Sequence, residues 1–211
     1  GTPNGQAEVA KTLEGIPQQG DLLGNPKSPL SMVEFADLKC PVCREFDTMV
    51  MPSLIDKYVR SGKLKIQLKL LHFVGEDAPD GTPGATPGDS LAAARFAVAT
   101  QAQKRYWNFA QLLYFNQQDE ATRYAGTPQF LSWIGKGAGV NMRQALSEQD
   151  QPWVGKKLDG YSAQFKQIGG QGTPTVLLGK SGTQLGQVDF SKMGYGNAQA
   201  FQALIDQYLA Q

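Results

Sequence analysis

Cys40 and Cys43 are the only cysteines among 211 residues, and only two residues separate them. The segment before them, residues 32–36, is predicted to be a strand, and apolar residues recur at every fourth position after Cys43, which is typical of an amphipathic helix. Residues 64–70 then alternate apolar and polar side chains, as a half-buried strand does. The sequence therefore predicts a β-α-β unit that carries both thiols at the turn from its first strand into its helix.

Pro41 determines what the start of this helix does to the first thiol. Proline is favoured at the first helical position, because its fixed φ suits the helix and its missing N–H has no partner there. Cys40 is therefore predicted to be the N-cap, where free backbone N–H groups and the helix dipole favour the thiolate. Cys43 lies within the first turn, close enough to resolve a mixed disulfide formed on Cys40. We interpret Cys40 as the nucleophile and Cys43 as the resolving thiol.

Two other roles of a close cysteine pair fit the sequence less well. A zinc site usually has four Cys, His or carboxylate ligands, whereas this chain has one histidine, His72, and no second cysteine pair. A structural disulfide that closes so short a loop removes little entropy from the unfolded chain. Redox chemistry is the favoured interpretation, no metal site is expected, and His72 is interpreted as a structural or surface residue.

Three separated features make the chain resemble the DsbA-like branch of the thioredoxin superfamily, in particular its extracytoplasmic thiol-disulfide oxidoreductases. Residues 33–43 form a strand that ends in a C-P-x-C motif, and residues 172–175, Gly-Thr-Pro-Thr, are similar to the family's proline turn before a strand. Between them lies a helix-rich stretch of roughly 80 residues, which suits an inserted helical domain. The resemblance covers about residues 19–210.

The resemblance implies an α/β protein with a thioredoxin-like fold and an inserted helical subdomain. The expected organisation is an N-terminal linker over residues 1–18, a thioredoxin-like domain in two parts over 19–74 and 169–211, and a loop with the inserted subdomain over 75–168. Within the insert, residues 75–89 are rich in glycine and proline, which predicts a loop. Most of the aromatic side chains that follow are interpreted as core residues.

The resemblance also implies roles for residues outside the cysteine pair. Pro174 is expected to be a cis-proline that places the Thr173 backbone beside the pair, where an extended substrate chain can add as a strand. Glu34 stands where the family carries a buried acidic residue beneath the site. A buried carboxyl group has a raised pKa and can accept or return the proton of the second thiol. A solvent-facing position for Glu34 is the alternative.

The residues around Cys40 depart from the family pattern in one respect. Strongly oxidising members carry a histidine between the cysteines, and this chain has Val42. Histidine stabilises the thiolate by charge and hydrogen bonding, which valine cannot do. Lys39 is expected to offset this in part, since a neighbouring cation lowers the pKa of Cys40, although solvent screens an exposed side chain. Pro41, Val42 and Lys39 are thus expected to tune a reduction potential that lies between about −120 mV (DsbA) and about −270 mV (thioredoxin).

Composition bears on partners and location. With 20 basic and 19 acidic residues the net charge is +1, which provides no field that attracts nucleic acid or anionic lipid. The sequence has no run of about 20 apolar residues that could span a membrane. The sequence opens on Gly1 and residues 1–20 resemble a linker, so we expect a signal peptide or a membrane anchor to precede them. The family resemblance implies an extracytoplasmic location.

Together these features predict a thiol-disulfide oxidoreductase that introduces disulfide bonds into extracytoplasmic proteins, with reduced or unfolded secreted proteins as substrates. The family implies reoxidation by a membrane quinone-linked thiol oxidase, and no metal or organic cofactor is required. Two alternatives are open. One is a reductase or isomerase on the same fold, in which reduced Cys40 attacks substrate disulfides. The other is a peptide-binding domain that keeps the fold without a redox cycle.

Overall fold

The structure, a computed structural model, describes residues 1–74 and 88–211. Most of the loop expected over residues 75–89 lies outside the described residues. Within them, six strands form a single sheet: β1 (Gln18–Gln19), β2 (Leu22–Leu23), β3 (Leu30–Asp37), β4 (Leu64–Leu71), β5 (Thr175–Lys180) and β6 (Gly186–Gln187). Their order across the sheet is β1-β2-β4-β3-β5-β6.

The central strand, β3, carries the chain to the two cysteines. It pairs in parallel with β4 and antiparallel with β5. Every residue of β3 except Ser31 is buried, as expected for a strand that is covered on both faces. Glu34 lies in the middle of β3, opposite Leu68 of β4 and Val176 of β5. The protein therefore encloses the Glu34 side chain completely.

The helices of the described residues flank this sheet, and five of them, α4 to α8 as bounded below, lie between β4 and β5 in the chain. The α/β class with a thioredoxin-like sheet and an inserted helical subdomain is confirmed. The helices are α1 (Gln6–Leu13), α2 (Pro41–Met49), α3 (Met51–Leu54), α4 (Asp89–Ala99), α5 (Tyr106–Phe115), α6 (Pro128–Gly137), α7 (Met142–Glu148), α8 (Pro152–Gln167) and α9 (Ala198–Leu209), with a π-helical turn over Ile55–Val59 and a 3-10 turn over Thr100–Gln103.

The helix that follows the cysteines is regular at its start and interrupted further on. Phe46 of α2 packs between Phe190 and Phe201, with ring centroids 5.6 and 5.4 Å away. Pro52 lacks the N–H that a continuous helix needs at its position, and the chain breaks between α2 and α3 before entering the π-helical turn. The break leaves the first turn of α2, which contains both cysteines, undistorted.

The inserted subdomain is joined to the sheet through α5. The side chain of Phe109 is buried in the core with most of this helix. The Tyr106 hydroxyl donates to the carbonyl of Leu68 at 2.8 Å, and the Tyr114 hydroxyl donates to the carbonyl of Asp37 at 3.1 Å. These aromatic side chains are core residues, and two of their hydroxyl groups fix the subdomain to β3 and β4.

The N-terminal segment differs from the linker expected over residues 1–18. Gln6–Leu13 form α1, whose Val9 and Leu13 are buried, and α1 packs against α5. Burying apolar side chains of this size contributes about 1.5–3 kcal/mol each. Two such side chains are enough to hold a short helix on the surface of the inserted subdomain.

Candidate active site

The cysteine pair lies where β3 leaves the sheet and α2 begins. Cys40 is the N-cap of α2, with φ −73° and ψ 121°, and Pro41 occupies the start of the helix. The Cys40 sulfur accepts a hydrogen bond from the backbone N–H of Cys43 at 3.3 Å. Both cysteines are free thiols, with Cys40 7% exposed and Cys43 0% exposed. The structure is therefore that of the dithiol form, with only Cys40 in reach of another molecule.

The two thiols differ strongly in acidity. The pKa of Cys40 is lowered to about 6, chiefly by a hydrogen bond from the Cys43 thiol, against the opposing effect of burial and with further help from Thr173. The pKa of Cys43 is raised well above its ordinary value, first by burial and then by the interaction with Cys40. At neutral pH Cys40 is a thiolate and Cys43 is protonated. Because the thiolate is the attacking form, the geometry gives the two sulfurs different roles.

The loop before β5 lies against Cys40. The Cys40 sulfur is 3.6 Å from the carbonyl oxygen of Thr173, to which its thiol can donate. The peptide bond between Thr173 and Pro174 is cis. A cavity of about 700 Å³ opens beside this loop, lined by both residues together with Phe190 and Tyr195. The cavity lies beside the loop whose Thr173 carbonyl faces the Cys40 sulfur, and its walls are both polar and apolar.

Phe190 and Tyr195 were not identified from the sequence as site residues. Their rings stack with centroids 4.6 Å apart on the wall of the cavity. They follow β6 in a segment without regular secondary structure, so no periodicity places them on a face. Sequence alone does not distinguish aromatic residues of this kind from core residues.

Two carboxyl groups are buried in the core near the cysteine pair. Glu34 and Asp47 are both fully buried, and neither carboxyl oxygen of Glu34 has a hydrogen-bond partner among the described residues. The pKa of Glu34 is raised well above its ordinary value, first by burial and then by the charge of Asp47. Burial also raises the pKa of Asp47 to about 6, while interactions with Glu34 and Gln111 oppose the rise. Burial therefore favours the protonated form of Glu34.

Asp47 is a third residue of the site that was not identified from the sequence. It stands four residues after Cys43, on the buried face of α2 that also carries Phe46. Its carboxyl group accepts a hydrogen bond of 2.6 Å from Gln111 of α5. A carboxylate on the apolar face of an amphipathic helix is unusual, and that position is the sequence signal that could have identified it.

Lys39 is placed differently from the exposed cation that we expected. Its side chain is fully buried, and its ammonium group donates to Asp89 at 2.7 Å and to the carbonyl of Thr122 at 2.9 Å. Asp89 accepts two further hydrogen bonds from backbone N–H groups, both of 2.7 Å. The expectation of a solvent-screened cation is wrong, because Asp89 neutralises Lys39 inside the protein. Through this ion pair Lys39, the residue next to Cys40, is connected to the inserted subdomain.

Val42 contributes its backbone to the site. Its N–H group helps to lower the pKa of Cys40, and its side chain is partly buried against the core. The side chain brings neither charge nor hydrogen bond to the sulfur. The acidity of Cys40 therefore comes from the first turn of α2 and from Cys43.

Residues 1–74 and 88–211 contain neither a cluster of metal ligands nor a membrane-spanning helix. No group of three or more His, Cys, Asp or Glu side chains there is arranged to hold a metal ion. His72, which directly follows β4, is partly buried and acts electrostatically on Asp37. No helix in these ranges combines the length and the apolar character needed to cross a membrane.

An acidic sulfur at a helix start, facing the loop that enters a neighbouring antiparallel strand, defines a thioredoxin-fold protein with a redox-active dithiol. A family model described as thioredoxin matches residues 18–193 of this chain. The match covers more than half of the sequence and includes β3, both cysteines, the inserted helices and the Pro174 loop. The chain belongs to this thioredoxin family.

Relatives in sequence and structure confirm the resemblance to DsbA-like proteins. The probable disulfide bond formation protein D of Bacillus cereus is 28% identical over 172 residues, which are 81% of this chain and 74% of that protein. Oxidised BdbD from Bacillus subtilis has a TM-score of 0.71 at 19% identity, covering 100% of this chain and 97% of that one. Wolbachia pipientis alpha-DsbA1 has a TM-score of 0.67 at 20% identity, covering 94% of this chain and 92% of that one. The two solved structures share the fold.

The difference in acidity between the thiols predicts how the reduced protein reacts with an alkylating agent. The rate at which Cys40 reacts with iodoacetamide should rise with pH and level off with a midpoint near 6, while Cys43 stays unmodified. Cys43→Ala should move the midpoint upward, because it removes the largest cause of the lowered pKa. The rates are followed by mass spectrometry. A midpoint near the ordinary thiol value of about 8.5 in the unsubstituted protein would contradict this description of the site.

Proposed function

We infer that this protein is a thiol-disulfide oxidoreductase that introduces disulfide bonds into other proteins through the Cys40–Cys43 pair. The observation that carries the inference is the contrast between an acidic, reachable Cys40 and a buried, protonated Cys43. A sulfur with a low pKa leaves readily when it is displaced from a disulfide. The relative from Bacillus cereus, named as a probable disulfide bond formation protein, supports the same activity.

The reaction begins with the pair oxidised. A substrate thiolate attacks the Cys40 sulfur, the bond to Cys43 breaks, and a mixed disulfide between substrate and Cys40 forms. A second substrate thiolate attacks the substrate sulfur of that bond, and Cys40 departs as a thiolate. The substrate has lost two electrons and carries a new disulfide, and the protein has gained them as a dithiol. The low pKa of Cys40 favours the second step, and no metal or organic cofactor takes part.

Thr173 and Pro174 are proposed to bind the substrate chain. The Thr173 carbonyl lies 3.6 Å from the Cys40 sulfur, so an extended chain that pairs with this backbone brings its own cysteine to the reacting sulfur. Backbone pairing does not depend on the side chains of the substrate, which suits an enzyme that acts on many unfolded proteins. The cavity beside the loop, whose walls include Phe190 and Tyr195, accommodates a side chain next to the substrate cysteine.

Glu34 is proposed to exchange the proton of Cys43. When Cys43 leaves the disulfide it is a thiolate in a buried site where its pKa is well above the ordinary value, so it must take up a proton. Burial raises the pKa of Glu34 and favours its protonated form, and the two groups interact electrostatically. Glu34 gives this proton to Cys43, and accepts it again when the pair is reoxidised.

The proposed site of action is outside the cytoplasm. Disulfides persist in oxidising compartments, whereas glutathione and thioredoxin systems keep cytosolic thiols reduced. Reduced or unfolded secreted proteins are the proposed substrates. Each turnover leaves the pair reduced, so an electron acceptor must restore the disulfide, and we propose a membrane quinone-linked thiol oxidase in that role.

Disulfide transfer tests the proposed function directly. The oxidised protein is mixed with a reduced, unfolded protein that has two cysteines, and mass spectrometry after alkylation counts the disulfides. One substrate disulfide should form for each Cys40–Cys43 disulfide consumed, and Cys40→Ala should form none. Reduction of a substrate disulfide by the dithiol form without the forward transfer would identify a reductase or isomerase instead. Binding of the unfolded chain with no thiol exchange would identify a peptide-binding domain.

The role of Glu34 is tested by comparing the two thiols. Glu34→Gln should slow the attack of Cys43 on a preformed mixed disulfide by about 10–100-fold, the lower part of the usual effect of general acid-base catalysis. It should slow the alkylation of Cys40 much less. Glu45→Gln, a change of the same kind at an exposed position of α2, serves as the control and should alter neither rate. Equal slowing of both thiols in Glu34→Gln would rule out proton exchange through Glu34.

A further inference from the structure

The backbone around the nucleophile is held by a side chain of the inserted subdomain. The Gln117 side chain is buried at 8% exposure, two residues beyond α5. Its amide nitrogen donates to the carbonyl of Leu38 at 2.8 Å and to the carbonyl of Cys40 at 3.1 Å. Two carbonyl oxygens that point at one place repel each other, and a shared N–H₂ group removes that repulsion. Gln117 therefore fixes the orientation of the peptide group before Lys39 and of the peptide group that joins Cys40 to Pro41.

A second connection from the same subdomain reaches the residue between those carbonyls. Lys39 is fully buried, and its ammonium group forms an ion pair of 2.7 Å with Asp89 at the start of α4. Removal of one partner from a buried ion pair is far more costly than the loss of an exposed pair, because it leaves an unpaired charge inside the protein. The side chain of Lys39 is consequently not free to move away from Asp89, and the chain next to Cys40 is held in place with it.

The position of the Cys40 carbonyl matters for the sulfur of the same residue. This carbonyl accepts the first hydrogen bond of α2, from the N–H of Arg44 at 3.1 Å. The same first turn supplies the N–H of Cys43 that donates to the Cys40 sulfur at 3.3 Å. Rotation of the peptide group after Cys40 changes its ψ of 121° and turns the sulfur relative to these N–H groups.

We propose that Gln117 and the buried Lys39–Asp89 ion pair are positioning residues, through which the inserted helical subdomain holds Cys40 against the start of α2. The inserted subdomain then contributes to the reactivity of Cys40 by positioning it. The proposal rests on the nucleophilic role given to Cys40, but its test uses the reduced protein without substrate. A failure of disulfide transfer would therefore leave the outcome of this test unchanged.

The experiment compares Gln117→Met with Gln118→Met. Both substitutions replace the same amide with an apolar side chain of similar length, but Gln118 is exposed. The pH dependence of Cys40 alkylation gives its thiolate fraction, and circular dichroism with thermal unfolding reports the fold. Gln117→Met should lower the thiolate fraction at pH 5 by about threefold, which is a rise in pKa of about half a unit. Gln118→Met should leave the fraction unchanged.

The double variant Lys39→Met/Asp89→Asn provides an independent arm if Gln117→Met does not fold. It removes both charges of the ion pair, so the net charge of the chain is unchanged and the electrostatic change at Cys40 is smaller than when Lys39 alone is replaced. The same direction of shift is expected, and Lys57→Met/Asp206→Asn, which removes an exposed pair, is the matched control. Folded variants that lose thermal stability while the Cys40 titration stays where it was would show a merely structural role and overturn the proposal.

Discussion

The first turn of α2 makes two identical side chains behave differently, through the hydrogen bond from the Cys43 thiol and the backbone N–H groups that face Cys40. Cys40 precedes the helix and faces these donors, whereas Cys43 is part of the turn and lies in the core. A helix start stabilises negative charge through unpaired N–H groups and the helix dipole. Burial acts in the opposite sense on a thiol without such donors. The different roles of the two sulfurs thus follow from their positions, because Cys40 precedes the helix and Cys43 lies three residues further along it.

The buried carboxyl groups can lie near the Cys40 thiolate because burial favours the neutral form of Glu34. An ionised Glu34 near the pair opposes a thiolate, since like charges disfavour each other in a medium of low dielectric constant. Burial raises the pKa of Glu34 and the charge of Asp47 raises it further, so both effects favour the protonated carboxyl group. Desolvation of Glu34 thus reduces its repulsion of the Cys40 thiolate. It also keeps a proton available for Cys43, which takes up a proton when it leaves the disulfide.

The sequence determined the parts of the site that depend on local pattern. The strand before Cys40 and the helix that begins at Pro41 each follow from residues close together in the chain, whereas the cis-proline at Pro174 was expected from the family resemblance. The burial of Lys39 could not be found this way, because its partner Asp89 is 50 residues away and lysine before a helix is usually exposed. For the same reason Gln117, which reaches the Cys40 turn from 77 positions along the chain, carries no local signal.

The N-terminal helix α1 is another element that could not be predicted from local sequence pattern. Residues 6–13 contain only two side chains that the fold buries well, Val9 and Leu13, and an isolated helix of this length is unstable in water. Its stability comes from α5, which the sequence places far away. Tertiary packing therefore determines whether this helix forms, and it also determines the contacts of Lys39 and Gln117 around Cys40. The strand and the helix that carry the two cysteines are determined by local sequence pattern.

The equilibrium reduction potential of the Cys40–Cys43 pair in glutathione buffers tests the central claim most directly. The claim is that an acidic Cys40 stabilises the dithiol form and so makes the disulfide a donor. A potential less negative than about −200 mV, between glutaredoxins and DsbA, is the predicted result. A potential near about −270 mV, that of thioredoxin, would contradict the account and identify the pair as a reductant.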